Sequence, residues 1–530
     1  MVSPLRLTLY LLGMSLFGTA FAPPAYSRGE EICPKWFWAS DETIDLTDSE
    51  RDLICGDADN PAWQVIPTFQ AKSFFKGFLS QRGYYSPGFE DAAEGVVVNI
   101  GPRSYIKGYT IQGVPGGVKS LEKNRTFLGR EATPAQFDKV ESWIKSQLGN
   151  SGYPCGEVKL TYRPDTEAIQ VEVSPGTKKV FGPVQYAKLD VFDGEILQRY
   201  EPFFPDGEYD TRKLTLATRR ATADGTVLAV NYVPYCGQEF SLKQKMTPGE
   251  PNLLRFGVGI NTEGLLLTKV EYQRSRLGQY ASSFYTRLYA SYLDQELVIG
   301  GKWFLNQIPD QVYLNPELKV TRENEKKVET VQGDLKTGPV WQIDRGNHSY
   351  KFSVAPTLTH FATIRGEGPN YARALSVQTD LGLRRHNHEF YASSPETGYE
   401  LGVTGGFYDK KWLSDFTAQK YTIHGEVLAN VGGFSPPVLV AGFRMQGIST
   451  VTSNPDELPS SLRDFFGGSR DMRGFARGEL PNNEGGSLSS WYSGLEFRHI
   501  IASFSYVQPL VFVDAIKTGR ESVSLDKPLY

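Results

Sequence analysis

Four cysteines and six histidines are the residues whose chemistry is most easily tested by spacing. No two cysteines form a C-x-x-C pair, so a zinc or thioredoxin-like reading is weak. Cys33 and Cys55 lie close together near the start of the chain. Their spacing favours a disulfide closing a short loop, with free buried thiols as the alternative. Cys155 and Cys236 fall in separate parts of the chain and stay unassigned. The histidines are scattered. His386-x-His388 is the one close pair, and at strand spacing such a pair is more often an exposed loop feature than a metal site. No G-x-S-x-G occurs, and no nucleophile–base spacing accompanies the histidines. No catalytic residue, metal or cofactor is expected, and the chain is not read as an enzyme.

A third group is cationic. Residues 466–480 read FGGSRDMRGFARGEL, with four glycines, three arginines and no alternation. This is a flexible, positive loop set between two segments that alternate cleanly. An arginine fork can hold carboxylates bidentately, which a lysine cannot. What the loop does depends on the elements around it.

The composition points to strands. Aromatics make up 13% of the 530 residues, and there are 53 glycines against five methionines. Many aromatics with many glycines suggest tight turns and aromatic girdles. The net charge of −4 gives no electrostatic case for nucleic acid. The first 27 residues read as a signal peptide: Arg6 before an apolar Leu7–Ala22 run, then the small-x-small site Ala25-Tyr26-Ser27. The mature chain is therefore expected to be exported, where disulfides persist. Beyond residue 27 no apolar run is long enough to cross a bilayer as a helix.

The first half repeats weakly, with a period of ~75 residues. "FFKGFLSQRGYYSPGFE" (74–90) aligns with "WIKSQLGNSGYPCGEVK" (143–159). Each is a helix end, a Gly-Tyr break and then a strand. In the second unit, Thr133-Pro134-Ala135-Gln136 is a capping box that starts a helix. Phe137, Val140, Ile144 and Leu148 fall on one face of it. "EVKLTYRP" and "AIQVEVSP" then alternate as a hairpin around Asp165. The opening strand of the first unit is unclear, and "EICPKWFWAS" has no evident role. The expected boundaries are 28–101, a divergent module, then 102–176 and 177–250. Such modules leave sheet edges that can add a strand from an extended peptide. The bland alternative is a set of spacers without ligands.

From 251 to 530 helical periodicity disappears. In "YTIHGEVLAN", Tyr421, Ile423, Val427 and Ala429 oppose Thr422, His424 and Glu426. In "LVAGFRMQ", Leu439, Ala441, Phe443 and Met445 oppose Gly442, Arg444 and Gln446. Segments of ~10 residues, apolar on one face and polar on the other, are the pattern of a transmembrane β-strand. A soluble sandwich would use shorter strands and more Lys and Glu on its polar face. About thirteen such strands can be counted between Leu253 and Thr518.

Tandem modules followed by a barrel, with "GGSRDMRGF" (467–475), "GLEFR" (494–498) and "VFVDA" (511–515), resemble the POTRA-containing outer-membrane assembly superfamily. The resemblance covers nearly the whole mature chain. It implies α+β periplasmic POTRA modules before an all-β antiparallel transmembrane barrel of sixteen-stranded type. In that family the loop folds into the lumen, and its arginine pairs with acidic residues of the next strands. Carried over, Arg473 meets Glu496 and Asp514, Gly474 lets the backbone pass close, Phe475 packs on the wall, and Gly467 and Gly468 give the loop its freedom. Alternation agrees: Trp491, Ser493, Leu495 and Phe497 share one face, leaving Glu496 on the other, and Val511 and Val513 leave Asp514 inward. Met472 stands where a β-branched residue is usual.

Three modules resemble the TamA branch more than the BamA branch. The implied function is assembly and insertion of outer-membrane proteins, autotransporters included, by guiding substrate strands to the barrel seam. Implied partners are unfolded outer-membrane proteins, the lipid bilayer and a periplasm-spanning TamB-like protein. The alternative is a two-partner secretion pore, which usually has two modules and a plug helix. After "PLVFVDAIKTG" only "RESVSLDKPLY" remains, whereas the family continues for about three more strands. Asp526-Lys527-Pro528 before Tyr530 reads as a turn. The expectation is a truncated barrel with a gap beside its first strand.

Overall fold

In the computed structural model the stretch EICPKWFWAS is a hairpin. Strands β1 (Glu31–Cys33) and β2 (Trp36–Trp38) pair antiparallel around a turn at Lys35. With β3 (Gly88–Ala92) and β4 (Gly95–Asn99) they form a sheet in the order β1-β2-β4-β3. Trp36 and Trp38 point into a core with Ile54, Phe75, Leu79 and Val98. Ile54 lies on α1 (Asp48–Cys55), and Phe75 and Leu79 lie on α2 (Thr68–Gln81). A Thr47–Glu50 capping box starts α1, satisfying amides that have no partner inside the helix.

The described residues are 29–39, 43–57, 59–60, 64–188, 192, 194–261, 265–305, 311–345, 348–387, 397–468, 471–481, 485–501, 507–523 and 525. The expected leader with its Ala25-Tyr26-Ser27 site, His388 and Asp526–Tyr530 lie outside them. Two compact units are present. One is formed within 1–108, 129–138 and 162–169, the other within 109–128, 139–161 and 170–530.

A second small sheet holds β5 (Gly108–Gln112), β6 (Glu157–Arg163) and β7 (Ala168–Ser174) in the order β5-β7-β6. Helix α3 (Pro134–Asn150) starts where Thr133 Oγ1 accepts from the Gln136 amide at 3.3 Å. It buries Val140, Trp143, Ile144 and Leu148. Phe137 is only half-buried and stacks on the Tyr162 ring, 5.2 Å between centroids. The third sheet takes β8 (Val184–Gln185), β9 (Ala229–Cys236) and β10 (Phe240–Thr247) in the order β8-β10-β9. Helix α4 (Thr211–Ala223), capped by the Asp210 side chain, covers it. Phe181, Leu197, Tyr200, Phe203, Leu214 and Leu242 fill that core.

The rest is one antiparallel sheet of fifteen strands among the described residues. They are β11 (Asn252–Asn261), β12 (Leu265–Leu277), β13 (Ser282–Ser291), β14 (Asp294–Phe304), β15 (Gln311–Leu314), β16 (Glu317–Asn324), β17 (Glu329–Lys336) and β18 (Pro339–Arg345). Then come β19 (His348–Arg365), β20 (Tyr371–Asn387), β21 (Thr397–Tyr408), β22 (Ala418–Val431), β23 (Leu439–Thr452), β24 (Ser489–His499) and β25 (Leu510–Gly519). β15 and β16 share one pass broken at Asn315–Pro316, and β17 and β18 share another broken at Thr337–Gly338, so the fifteen segments make thirteen passes. Prolines cannot donate to a ladder, and Pro316, Pro339 and Pro356 cluster at these breaks. The passes are not all near ten residues: β19 has 18 and β20 has 17. β19 is long because it pairs with both halves of a broken pass, β17 and then β18.

β11 and β25 end the sheet order, and no pairing joins them among the described residues. One face of the strands is exposed and apolar. Phe256, Leu288, Val427, Phe443, Leu495 and Val513 all stand on it. Val511 and Val513 are 72% and 69% exposed. A continuous apolar face of this size is not stable against water and calls for an apolar solvent. No described helix is long and apolar enough to cross a membrane.

Candidate functional site

The loop 453–488 joins β23 to β24. Two bridges close its base, Asp464 with Ser487 and Phe466 with Leu480. Phe466, Met472 and Leu480 bury themselves against Ile448, Tyr492 and Ile516 of the last three strands, and Phe475 packs on this cluster. Apolar contact with the wall thus helps hold the loop on the sheet, beside the charge pairing. Met472 is 3% exposed and fills the cluster as an unbranched side chain can. Asp471 Oδ1 accepts from the Gly467 and Met472 amides at 3.0 and 2.8 Å, and the Gly468 amide donates to Phe475 O at 2.9 Å. Burial pushes the Asp471 carboxyl up. These bonds turn the chain so that Arg473 faces β24 and β25.

Arg473 meets both carboxylates. Its Nε and Nη2 donate to Asp514 Oδ2 and Oδ1, both at 2.9 Å. Nη1 donates to Glu496 Oε2 at 2.5 Å. Its own backbone amide adds a bond to Asp514 Oδ2 at 3.1 Å. The Asp514 side chain is 1% exposed and that of Arg473 is 13%. A two-pronged, largely desolvated pair of this kind fixes orientation as well as position. The hydrogen bonds it donates to the Asp514 carboxylate hold the guanidinium firmly protonated.

Several residues of the site were not singled out in the sequence. The Tyr492 hydroxyl donates to Asp514 Oδ1 at 2.9 Å, and the guanidinium carbon of Arg473 sits 3.9 Å from the centroid of the Phe512 ring. Glu496 also meets Arg444 at 3.4 Å and Arg498 at 3.2 Å, so three arginines share it. Alternation does place Tyr492, Arg444, Arg498 and Phe512 on the polar side with Glu496 and Asp514; it cannot show that they touch.

Gly474 departs from expectation. Nothing lies within 4 Å of where its Cβ would stand, so close approach is not its reason. Its φ of +100° is, because a side chain there would strain the backbone.

Cys33 and Cys55 are joined, tying β1 to the end of α1. Cys155 and Cys236 are also joined, linking the segment after α3 to the end of β9. The side chain of His386, like all of His388, falls outside the description. No cluster of metal-ligating side chains occurs among the described residues.

No family model matches the chain. Solved structures are similar to it at low identity. Against BamA from Haemophilus ducreyi lacking POTRA domains 1–3, identity is 15%, coverage 78% of this chain and 87% of that one, and the TM-score 0.47. Against CdiB from Escherichia coli the values are 12%, 92%, 90% and 0.43. POTRA domains 3–5 of Haemophilus influenzae BamA match at 16% identity over 43% of this chain and 99% of theirs, with a TM-score of 0.26.

Proposed function

We propose that this chain is an outer-membrane assembly factor of the POTRA-barrel type. The modules 28–101, 102–176 and 177–250 lie in the periplasm, and 251–530 is the membrane domain. The observation that carries this reading is the Arg473–Asp514–Glu496 clasp, set on a sheet whose other face is apolar and exposed. A charged loop held against the polar face of such a sheet controls what occupies the interior. The work is non-covalent: extended substrate strands add to sheet edges in the modules and pass to the ends of the large sheet at β11 and β25. The substrates are unfolded outer-membrane proteins, autotransporters among them, in the manner of the TamA branch. The first module is where a periplasm-spanning, TamB-like partner docks.

Secretion of an unfolded polypeptide is the second reading. The three small sheets at 31–99, 108–174 and 184–247 support assembly over secretion, as does the placement of α1, the earliest described helix, in the core of the first unit. Proteoliposomes carrying the full chain test both readings. A urea-unfolded outer-membrane protein added on the module side should end as a heat-modifiable barrel in the same bilayer. Delivery of soluble polypeptide to the opposite compartment, with no inserted barrel, would replace assembly by secretion.

A further inference from the structure

Arg477 lies four residues beyond Arg473 in the same loop, yet it reaches other strands. Its Nη1 and Nη2 donate to the two carboxylate oxygens of Asp294 at 2.5 and 2.6 Å. Its Nε donates to Glu325 Oε1 at 2.8 Å. Asp294 opens β14, and Glu325 follows β16 at the tip of the β16–β17 hairpin. From the same tip, Lys327 Nζ donates to the carbonyls of Glu479 and Pro481 at 2.6 and 2.9 Å. Around residues 477–481, Arg477 is thus held by two carboxylates and Lys327 by two backbone carbonyls. The side chains of Arg477, Asp294 and Glu325 are 22%, 18% and 12% exposed, so the pairing is partly desolvated. An arginine fork spanning two carboxylates is a positioning device more than a general attraction.

The two arginines hold one short segment from two directions. Arg473 binds β24 and β25, whereas Arg477 binds β14 and the β16–β17 tip. Strands β19 to β23 separate these groups in the sheet order. We propose that Arg477 is a second positioning residue, and that residues 473–477 form a cross-brace between the early and late strands. The inference rests on reading the loop as the lumenal loop of an assembly barrel. It adds that the spacing between β14 with the β16–β17 tip and the last two strands depends on Arg477 as well as on Arg473.

The test uses the full chain in membranes. All four native cysteines are in disulfides, so an added cysteine reports alone. Val328 on the hairpin tip is 6% exposed, and Val328→Cys serves as the reporter of maleimide labelling. Arg477→Ala should raise its labelling rate about tenfold, the scale for losing one partner of a partly buried pair after allowance for lumenal water. Combining Arg477→Asp with Asp294→Arg should bring the rate back toward the parent, which a merely space-filling role would not do. A change below about twofold in Arg477→Ala, at parent protein level, overturns the brace. An independent arm needs no change at Arg477. Lys327→Cys with Glu479→Cys should cross-link in high yield with a short bismaleimide, and absence of the adduct also overturns it. Labelling and insertion separate the two ideas. If labelling responds as expected but the parent chain inserts nothing into proteoliposomes, the brace stands and the assembly reading falls. If insertion is normal and labelling does not respond, the brace alone falls.

Discussion

Gly494 faces Asp514 directly across the β24–β25 ladder. A Cβ on Gly494 would stand 2.7 Å from Asp514 Oδ1 and would strike the Tyr492 hydroxyl. The missing side chain leaves the room in which Tyr492 and Arg473 both reach Asp514. Gly494→Ala should therefore displace one of the two donors, at a cost of about 1–3 kcal/mol from overpacking. The expected outcome is a well-inserted sheet with a loosened loop, read as faster proteolysis within 466–480. Unchanged proteolysis would mean the ladder can shift to absorb the methyl group.

Arg473→Ala leaves Asp514 and Glu496 side by side without their bridging cation. Removing one partner of a buried pair costs roughly 3–5 kcal/mol, reduced here by the partial exposure of Arg473 and by Arg444 and Arg498, which still face Glu496. The proposed assembly activity should be lost while the small modules keep their melting transition. Arg473→Lys should rescue little, because an ammonium cannot span both oxygens of Asp514 and reach Glu496 as well. Wild-type insertion by Arg473→Ala at normal protein level would remove the clasp from the mechanism.

Alternation is why the first clasp could be expected from sequence. A period of two assigns Glu496 and Asp514 to one side as soon as Leu495 and Val513 are given the other. The loop motif then supplies the arginine. The partners of Arg477 carry no such signal, because Asp294 is 183 residues away and Glu325 is 152. Cys155 and Cys236, 81 residues apart, are equally silent for the same reason. The opening hairpin fails differently: β1 and β2 have three residues each, too few to show any period. The thirteen passes were countable because prolines break two of them without changing which face is apolar.

Glu201 should make the third module sensitive to pH. Its carboxylate accepts from the Tyr232 hydroxyl at 2.7 Å and the Tyr186 hydroxyl at 3.0 Å. Burial raises its pKa to about 7, against the opposing pull of those two hydrogen bonds. A carboxyl raised in the folded state binds its proton more tightly there than in the unfolded chain. Its contribution is therefore full below about pH 4.3 and is lost as pH rises through about 7. The size is roughly 3–4 kcal/mol. Chemical denaturation of the chain between these limits should show the module weakening as pH rises, and Glu201→Gln should flatten the slope. A slope of equal size in the variant would assign the effect to another group.

The Cys155–Cys236 bond should govern how the segment after α3 is held against the third sheet. Gly149 near the end of α3 packs so closely on Thr211, at the start of α4, that a Cβ would overlap its hydroxyl. The Gly152 carbonyl also accepts from the Lys179 amide at 2.8 Å. Contact and disulfide therefore restrain the same joint, with the disulfide closing a loop of 81 residues. In the chain-entropy model a loop of that length is worth about 4.5 kcal/mol. Cys155→Ser with Cys236→Ser should lower the stability of the third module by a few kcal/mol, the value falling short where native contacts persist in the unfolded chain. The same change should expose amides at 149–156 and 229–236 to hydrogen exchange while leaving β12 to β25 protected. The Cys33–Cys55 pair is the control, since its loss acts on the first unit alone. Faster exchange in the large sheet, or none at 149–156, would show that the bond does not restrain this joint.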